Sequence, residues 1–347
     1  MSPSTRATSV RRRVSLTRAS SSVDAPASSG VDEWKNDRLT FQGHSVTRVV
    51  APKNAPPIVI LGGFGNNTVD YTAPFGNSSV SLANALKIRG FDVEVVELER
   101  KDWAKILRAV WSPGFWDTRK GTTEPGYTWY LEKVDEAVNK ALERNPCSTN
   151  VDIVAHSAGG WLARAYIGGA LNDVDFTKKF RYWAKEPQRE SNFAKIDPTK
   201  PHPSVRSLVT LGAPHHVAPA SANASDATRG ALAWVDAKWP GAYYKTQGMK
   251  YVCVAGKTVR GNASPEAKKT LPGYSANSYT QVCGEGGGII GDAVVPSDFA
   301  TLVGALNVSV DGVFHSMSRV GTYDTDSKEA WYGSEQVVDL WLKELVD

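Results

Sequence analysis

Ser157 stands at the end of the run VDIVAHSAGG, residues 151–160, where an apolar, β-branched stretch breaks into small residues. A serine hydroxyl attacks a carbonyl only when a base takes its proton and donors hold the oxyanion that forms. A tight strand-to-helix turn meets part of that need, because it lifts the hydroxyl clear of the sheet and aims the first helical amides at the reacting carbon. Such an elbow reads G-x-S-x-G; here it is Ala155-His156-Ser157-Ala158-Gly159, with alanine for the first glycine. The plainer reading of the same residues is a buried serine capping a helix.

The other groups that this chemistry needs lie downstream, in the order Ser, Asp, His. Asp292 in IIGDAVVPSDFA is the candidate acid and His315 in VDGVFHSM the candidate base. His315 would take the Ser157 proton on one ring nitrogen while Asp292 holds the other. Asp311, four residues before His315, is the rival acid. The glycine-rich turn in VILGGFGNNTVDY puts the backbone N–H of Phe64 forward as one oxyanion donor, with that of Ala158 as the other. A phosphate-cradling role for Gly62-Gly63-Phe64-Gly65 fails, since the turn lacks both G-x-G-x-x-G and a P-loop lysine. Gly63, Trp111 and Trp116 are the candidate substrate contacts. His156 adjoins the nucleophile and should point away from it, and His215 and His216 in LGAPHH are expected to hold loops.

These residues need a sheet beneath them. Apolar runs at 57–61, 91–98, 151–157, 205–212, 249–256 and 306–314 alternate with helical patterns at 79–90, 127–146, 158–171 and 334–347. Strands separated by helices of this length form βαβ units with a mostly parallel sheet, helices on both faces and sites outside the carboxyl ends of the strands. The fold class is therefore α/β.

Two segments stand apart from the alternation. Residues 102–130 hold Trp103, Trp111, Phe115, Trp116, Tyr127, Trp129 and Tyr130, and read as a small cap: a lid or docking surface for lipid, or a cap with its own core. Residues 173–203 read as a surface insertion. Residues 1–30 carry nine serines and five arginines against a single acid, Asp24, and hold the whole net charge of +4. That composition is of an organelle transit peptide, with the serines favouring the plastid. Residues 31–347 are neutral, which recommends no nucleic-acid partner. No run of about 18 apolar residues occurs, so any membrane contact is expected to be peripheral. Three cysteines with neither a zinc spacing nor a disulfide framework leave metal and cofactor out of the expected chemistry.

The chain resembles the α/β-hydrolase superfamily and, more narrowly, the lipase-like GPI inositol-deacylase-like hydrolases of plants and cyanobacteria. The resemblance is carried by LGGFGNNTVDY (61–71), DWAK (102–105), HSAGGWLARAY (156–166), LGAPHH (211–216), DATRGAL (226–232) and GDAVVP (291–296). It implies an eight-stranded core over residues 31–347, a triad at Ser157, Asp292 and His315, and action on acyl esters of lipids. With the plastid-like leader, the expectation is a membrane glycerolipid acyl-hydrolase that forms an acyl-enzyme on Ser157. An acyltransferase or small-molecule carboxylesterase with the same triad, or a non-catalytic binding protein of this fold, would share these features.

Overall fold

The computed structural model describes residues 38–41, 44–111, 116–117, 119, 121–174, 195–218, 226–316 and 330–346. The leader at 1–30, residues 175–194 of the insertion, Phe115 and the side chain of Trp111 lie outside these.

Six parallel strands form the central sheet: β1 (Ile58–Leu61), β2 (Val93–Val95), β3 (Val151–His156), β4 (Val205–Leu211), β5 (Lys250–Lys257) and β6 (Leu306–Asp311), in the spatial order β2-β1-β3-β4-β5-β6. The resemblance implied eight. Among the described residues the remaining strands are two short antiparallel pairs, Arg38–Phe41 with His44–Thr47 and Val259–Arg260 with Ile290–Gly291, which stay outside the main sheet. The order reverses between β1 and β3, so the loops after these strands open away from each other at a crevice, where α/β sheets place their sites.

Alternation along the strands feeds two cores. Val59, Leu61, Ile153, Ala155 and Leu208 face one side, where they pack with the helices that follow β2 and β3. Ile58, Ile60, Val154, Val209 and Val254 face the other side and meet the first and last helices of the sheet's flank. Every residue of β3 is buried, which is why the strand is mostly apolar on both faces rather than a period-two pattern, its one charge, Asp152, being paired. Each fully buried Val, Leu or Ile contributes about 1.5–3 kcal/mol relative to exposure.

Seven α-helices are described: α1 (Val69–Thr72), α2 (Leu82–Lys87), α3 (Thr128–Arg144), α4 (Ala158–Ile167), α5 (Ala231–Lys238), α6 (Leu271–Cys283) and α7 (Glu335–Val346). In α3, Leu131, Val134, Val138 and Ala141 fall on one stripe and are buried. Ser81 caps α2 by accepting the Asn84 amide, and Gly90, at φ 90°, stops the segment as its type predicts. Helix α6 carries no clear apolar stripe, and nothing in its sequence pattern announces it.

Two buried charges tie distant pieces together. Arg89 pairs with Asp339 of α7 at 2.6 and 2.8 Å, both side chains fully buried. Asp152 on β3 is held by Arg206 at 2.6 and 2.9 Å and by the Ser207 hydroxyl. Among the described residues no helix is long and apolar enough to cross a membrane.

The aromatic segment departs from the expected cap. Trp103, Tyr127, Trp129 and Tyr130 are buried in the main core beside the sheet, and only Trp116, 75% exposed, stands at the surface among the described members of the set. The reason lies in spacing: Tyr127, Trp129 and Tyr130 belong to the first turn of α3, whose apolar stripe faces the sheet. Trp239 and Tyr244, outside that segment, are buried in the same core.

Candidate active site

β3 ends at His156 and α4 begins at Ala158, so the whole reversal falls on Ser157. Its backbone is at φ 53°, ψ −128°, a region that costs an L-residue about 1–3 kcal/mol. The surrounding contacts hold it there: the Ser157 N–H donates to the Leu211 carbonyl at 2.9 Å, and its own carbonyl accepts from Gly160 at 2.9 Å. Small residues are obligatory. A Cβ on Gly160 would stand 2.4 Å from that of Ala213, and one on Gly63 would stand 2.6 Å from the Ser157 Cβ. Ala155, the departure from the G-x-S-x-G pattern, is fully buried within β3 and its methyl is simply core.

The structure brings three of the predicted residues into line. His315 Nε2 is 2.9 Å from Ser157 Oγ, and His315 Nδ1 is 2.8 Å from Asp292 Oδ2. Asp292 Oδ1 accepts the amides of Val294 and Val295 at 3.0 and 2.8 Å. Burial works to raise the Asp292 carboxyl, but the charge and hydrogen bond of His315, with the Val295 amide and the Tyr332 hydroxyl, outweigh it and hold the group below the usual range. The carboxylate thus stays ionised and accepts from Nδ1–H. In the neutral imidazole Nε2 is then the acceptor, facing the serine hydroxyl. Asp311, the rival acid, is exposed at the end of β6.

Two tyrosines brace this line in the same manner. Tyr332 accepts the Gly256 amide and donates to Asp292 Oδ2, each at 2.8 Å. Tyr71 accepts the Gly63 amide at 2.9 Å and lies 2.7 Å from His156 Nδ1. His156 Nε2 is 2.8 Å from the His315 carbonyl, which can only accept, so Nε2 carries the hydrogen. Burial, with the nearby His315 charge, lowers the His156 pKa to about 3, leaving the ring neutral. Nδ1 is therefore an acceptor and Tyr71 donates to it. A continuous chain runs from the Gly63 amide through Tyr71 and His156 to the backbone of His315.

The turn after β1 is held on three further sides. Tyr130 donates to the Gly62 carbonyl at 2.7 Å, Trp103 donates to the Asn66 carbonyl at 2.9 Å, and Trp103 packs against the Phe64 ring at 5.0 Å between centroids. Because Tyr71 takes the Gly63 amide, that N–H is unavailable to a substrate. Phe64, next along this turn, and Ala158, the first residue of α4, adjoin Gly63 and Ser157 and are the residues expected to supply the oxyanion donors.

Gly63, the candidate substrate contact, lies directly against Ser157, an approach that a side chain there would block. Trp116 donates its indole N–H to the Val110 carbonyl at 2.7 Å on the exposed surface. His215 is buried on Thr210, and His216 pairs with Asp236 at 3.0 Å, both serving loops. Tyr71, Tyr130, Tyr332 and Trp103 were not singled out as site residues. Tyr71 does lie in the conspicuous VILGGFGNNTVDY motif, but Tyr332 reaches the acid from beyond the last strand with no local signal.

Among the described residues no group of three or more His, Cys, Asp or Glu could hold a metal ion. No family model and no curated protein matches the chain. Among solved structures, the chain is similar to the mature lipase BlEst2 of Bacillus licheniformis at 14% identity, covering 85% of this chain and 92% of that one, with a TM-score of 0.43. It is similar to the metagenomic carboxyl esterase MGS0156 at 10% identity, covering 86% and 77%, with a TM-score of 0.45. A dienelactone hydrolase from Anabaena variabilis matches at 13% identity over 89% and 96%, with a TM-score of 0.35. The strand order, the strained elbow on β3 and the Ser–Asp–His order along the chain are those of the α/β-hydrolase fold.

Proposed function

We propose that the protein is a serine ester hydrolase acting on acyl esters of lipids, with Ser157 as nucleophile, His315 as base and Asp292 as its partner. The observation that carries this reading is the unbroken line Ser157 Oγ, His315, Asp292, at 2.9 and 2.8 Å. Ser157 Oγ attacks the ester carbonyl as His315 Nε2 takes its proton. The amides of Phe64 and Ala158 hold the oxyanion, an interaction for which each donor is worth roughly 10²–10³ in rate. The C–O bond breaks, the leaving alcohol takes the proton from His315, and the acyl group remains on Ser157. Water then gives a proton to His315 and attacks, releasing the acid and restoring the serine.

The lipid side of the reading is supported by the resemblance to lipase-like hydrolases, and the plastid address by the serine- and arginine-rich leader. The test is labelling of the full chain by a fluorophosphonate, with fatty-acid release measured from vesicles of galactolipid, phosphatidylglycerol or triacylglycerol, and Ser157→Ala alongside. Release that disappears in the alanine variant is expected. Labelling without release from any lipid would overturn the lipase reading and leave a soluble ester or an acyl acceptor. A fluorescent protein carrying residues 1–30 should enter plastids, and its retention in the cytosol would overturn the address.

A further inference from the structure

Tyr332 is fully buried in the segment just before α7, and its hydroxyl reaches the same carboxylate oxygen that His315 uses. Asp292 Oδ2 accepts from His315 Nδ1 and from the Tyr332 hydroxyl, each at 2.8 Å, while Oδ1 accepts the amides of Val294 and Val295. The phenol oxygen accepts the Gly256 amide at 2.8 Å, so its one proton goes to the acid. Burial first, and then the Asp292 charge, hold the phenol well above its ordinary value, which keeps it a donor.

The fold clears space for this contact. Gly212, the first residue after β4, is at φ 56°, and a Cβ there would stand 2.5 Å from Asp292 Oδ2 and 2.9 Å from the Tyr332 hydroxyl oxygen. A Cβ on Gly256 of β5 would stand 3.0 Å from that same hydroxyl. Trp341 of α7 donates its indole N–H to the Tyr332 carbonyl at 3.0 Å. The Phe314 amide, beside His315 in the chain, donates to the Ala330 carbonyl at 2.8 Å. The phenol and the imidazole are thus held in one frame. A phenylalanine would fill the same volume, so packing alone does not call for the hydroxyl.

Resting on the serine-hydrolase reading above, we propose that Tyr332 is a positioning residue that acts through Asp292, its hydroxyl sharing Oδ2 with His315 so that the carboxylate pulls less strongly on the imidazolium formed during the reaction. A donor on a carboxylate takes up part of its charge and weakens its hold on any other proton. Without that donor, Asp292 would favour the imidazolium more, and the base would be lost to a proton at higher pH. The other titratable groups facing the pair are His156 from β3, 4.7 Å from His315 between ring centroids, Ser157 at the elbow and Tyr279 from α6. Tyr71 stands behind His156. The His156 ring is neutral and Tyr279 donates to the Val259 carbonyl at 2.9 Å, so neither supplies a charge to Oδ2.

The experiment follows kcat/KM of the full chain for nitrophenyl octanoate from about pH 5 to about pH 9, in the parent, Tyr332→Phe, Tyr332→fluorotyrosine and Tyr279→Phe. Tyr332→Phe keeps the ring and removes the donor, and its low-pH limb is expected to move up by about half a unit or more. Fluorotyrosine is a stronger donor that still accepts the Gly256 amide, and should move the limb down. Tyr279 is equally buried and accepts the Ala293 amide at 3.0 Å beside the acid, but its hydroxyl does not bond the carboxylate. Tyr279→Phe should therefore leave the limb in place, whatever its effect on stability. A limb that fails to move in opposite directions in the two Tyr332 variants, or that moves as far in Tyr279→Phe, overturns the proposal and leaves the serine reading standing. Should circular dichroism show Tyr332→Phe unfolded, the direction of the fluorotyrosine shift decides alone. Absence of both nitrophenyl hydrolysis and fluorophosphonate labelling in the parent would overturn the serine reading and this proposal with it.

Discussion

Four residues other than glycine have positive φ among those described, and two of them lie on this chemistry: Ser157 at 53° and Ala293 at 86°, directly after Asp292. Strain persists only where neighbours over-determine it, and here the neighbours are hydrogen bonds to the same turns. The amide of Ala293 donates to the Tyr279 hydroxyl at 3.0 Å, which pins the residue that aims the acid. We expect Asp292→Asn to lower kcat on the order of 10⁴-fold with the fold intact, because the amide no longer selects the Nδ1–H tautomer; unchanged esterase kinetics would remove Asp292 from the line. Gly63→Ala must push its methyl toward the Ser157 Cβ, 2.6 Å away, and should cost activity at least about tenfold while circular dichroism stays that of the parent. Tyr71→Phe strands the Gly63 amide and the His156 nitrogen together. The loss should fall on kcat rather than KM, since the groups displaced, the turn bearing Phe64 and the backbone of His315, serve the oxyanion and the base.

At the level of elements, much was legible because parallel strands are buried on both faces. β1, β3, β4 and β5 are predominantly apolar, and each lies within a residue or two of where the pattern puts it. The elbow was readable because its small residues answer to local crowding at Gly160 and Gly63. What the pattern could not carry was the destination of the aromatics. A tryptophan or tyrosine looks the same in a lid and in a core; Trp129 and Tyr130 went to the core because α3 turns that face to the sheet, and Trp103 packs against both rings. Helix α6 escaped notice for a related reason: LPGYSANSYTQVC is held by tertiary contacts and a Thr270 cap rather than by an apolar stripe. Arg89 and Asp339 are also invisible as a pair in sequence, being 250 residues apart. Asp339→Ala leaves a fully buried guanidinium with only the half-exposed Glu335 as a charged partner, and should cost about 3–5 kcal/mol by urea unfolding. A loss below about 1 kcal/mol would mean that water reaches Arg89.

Over the whole molecule, three histidines have lowered pKa values: the buried His156 to about 3, the half-buried His202 to about 4, and the buried His215 well below its ordinary value, loss of solvent being the chief cause in each. Unfolding returns them to about 6.5, so below that pH the unfolded chain binds protons that the native one refuses. The contribution of these three should be level above about pH 7 and fall as the pH drops from about 6.5 toward 4, by up to about 1.4 kcal/mol per pH unit for each histidine. His202→Gln should make the fall shallower, and an unchanged slope would mean that the ring is hydrated. The arrangement of the site along the chain has a consequence in time. Ser157 sits on the third of six strands, whereas Asp292, His315 and Tyr332 all follow the fifth. A chain emerging from the ribosome therefore holds its nucleophile for more than a hundred residues of synthesis with nothing to deprotonate it. On the reading proposed above, no ester is attacked until the segment carrying Asp292 and His315 has been made and has closed over the sheet.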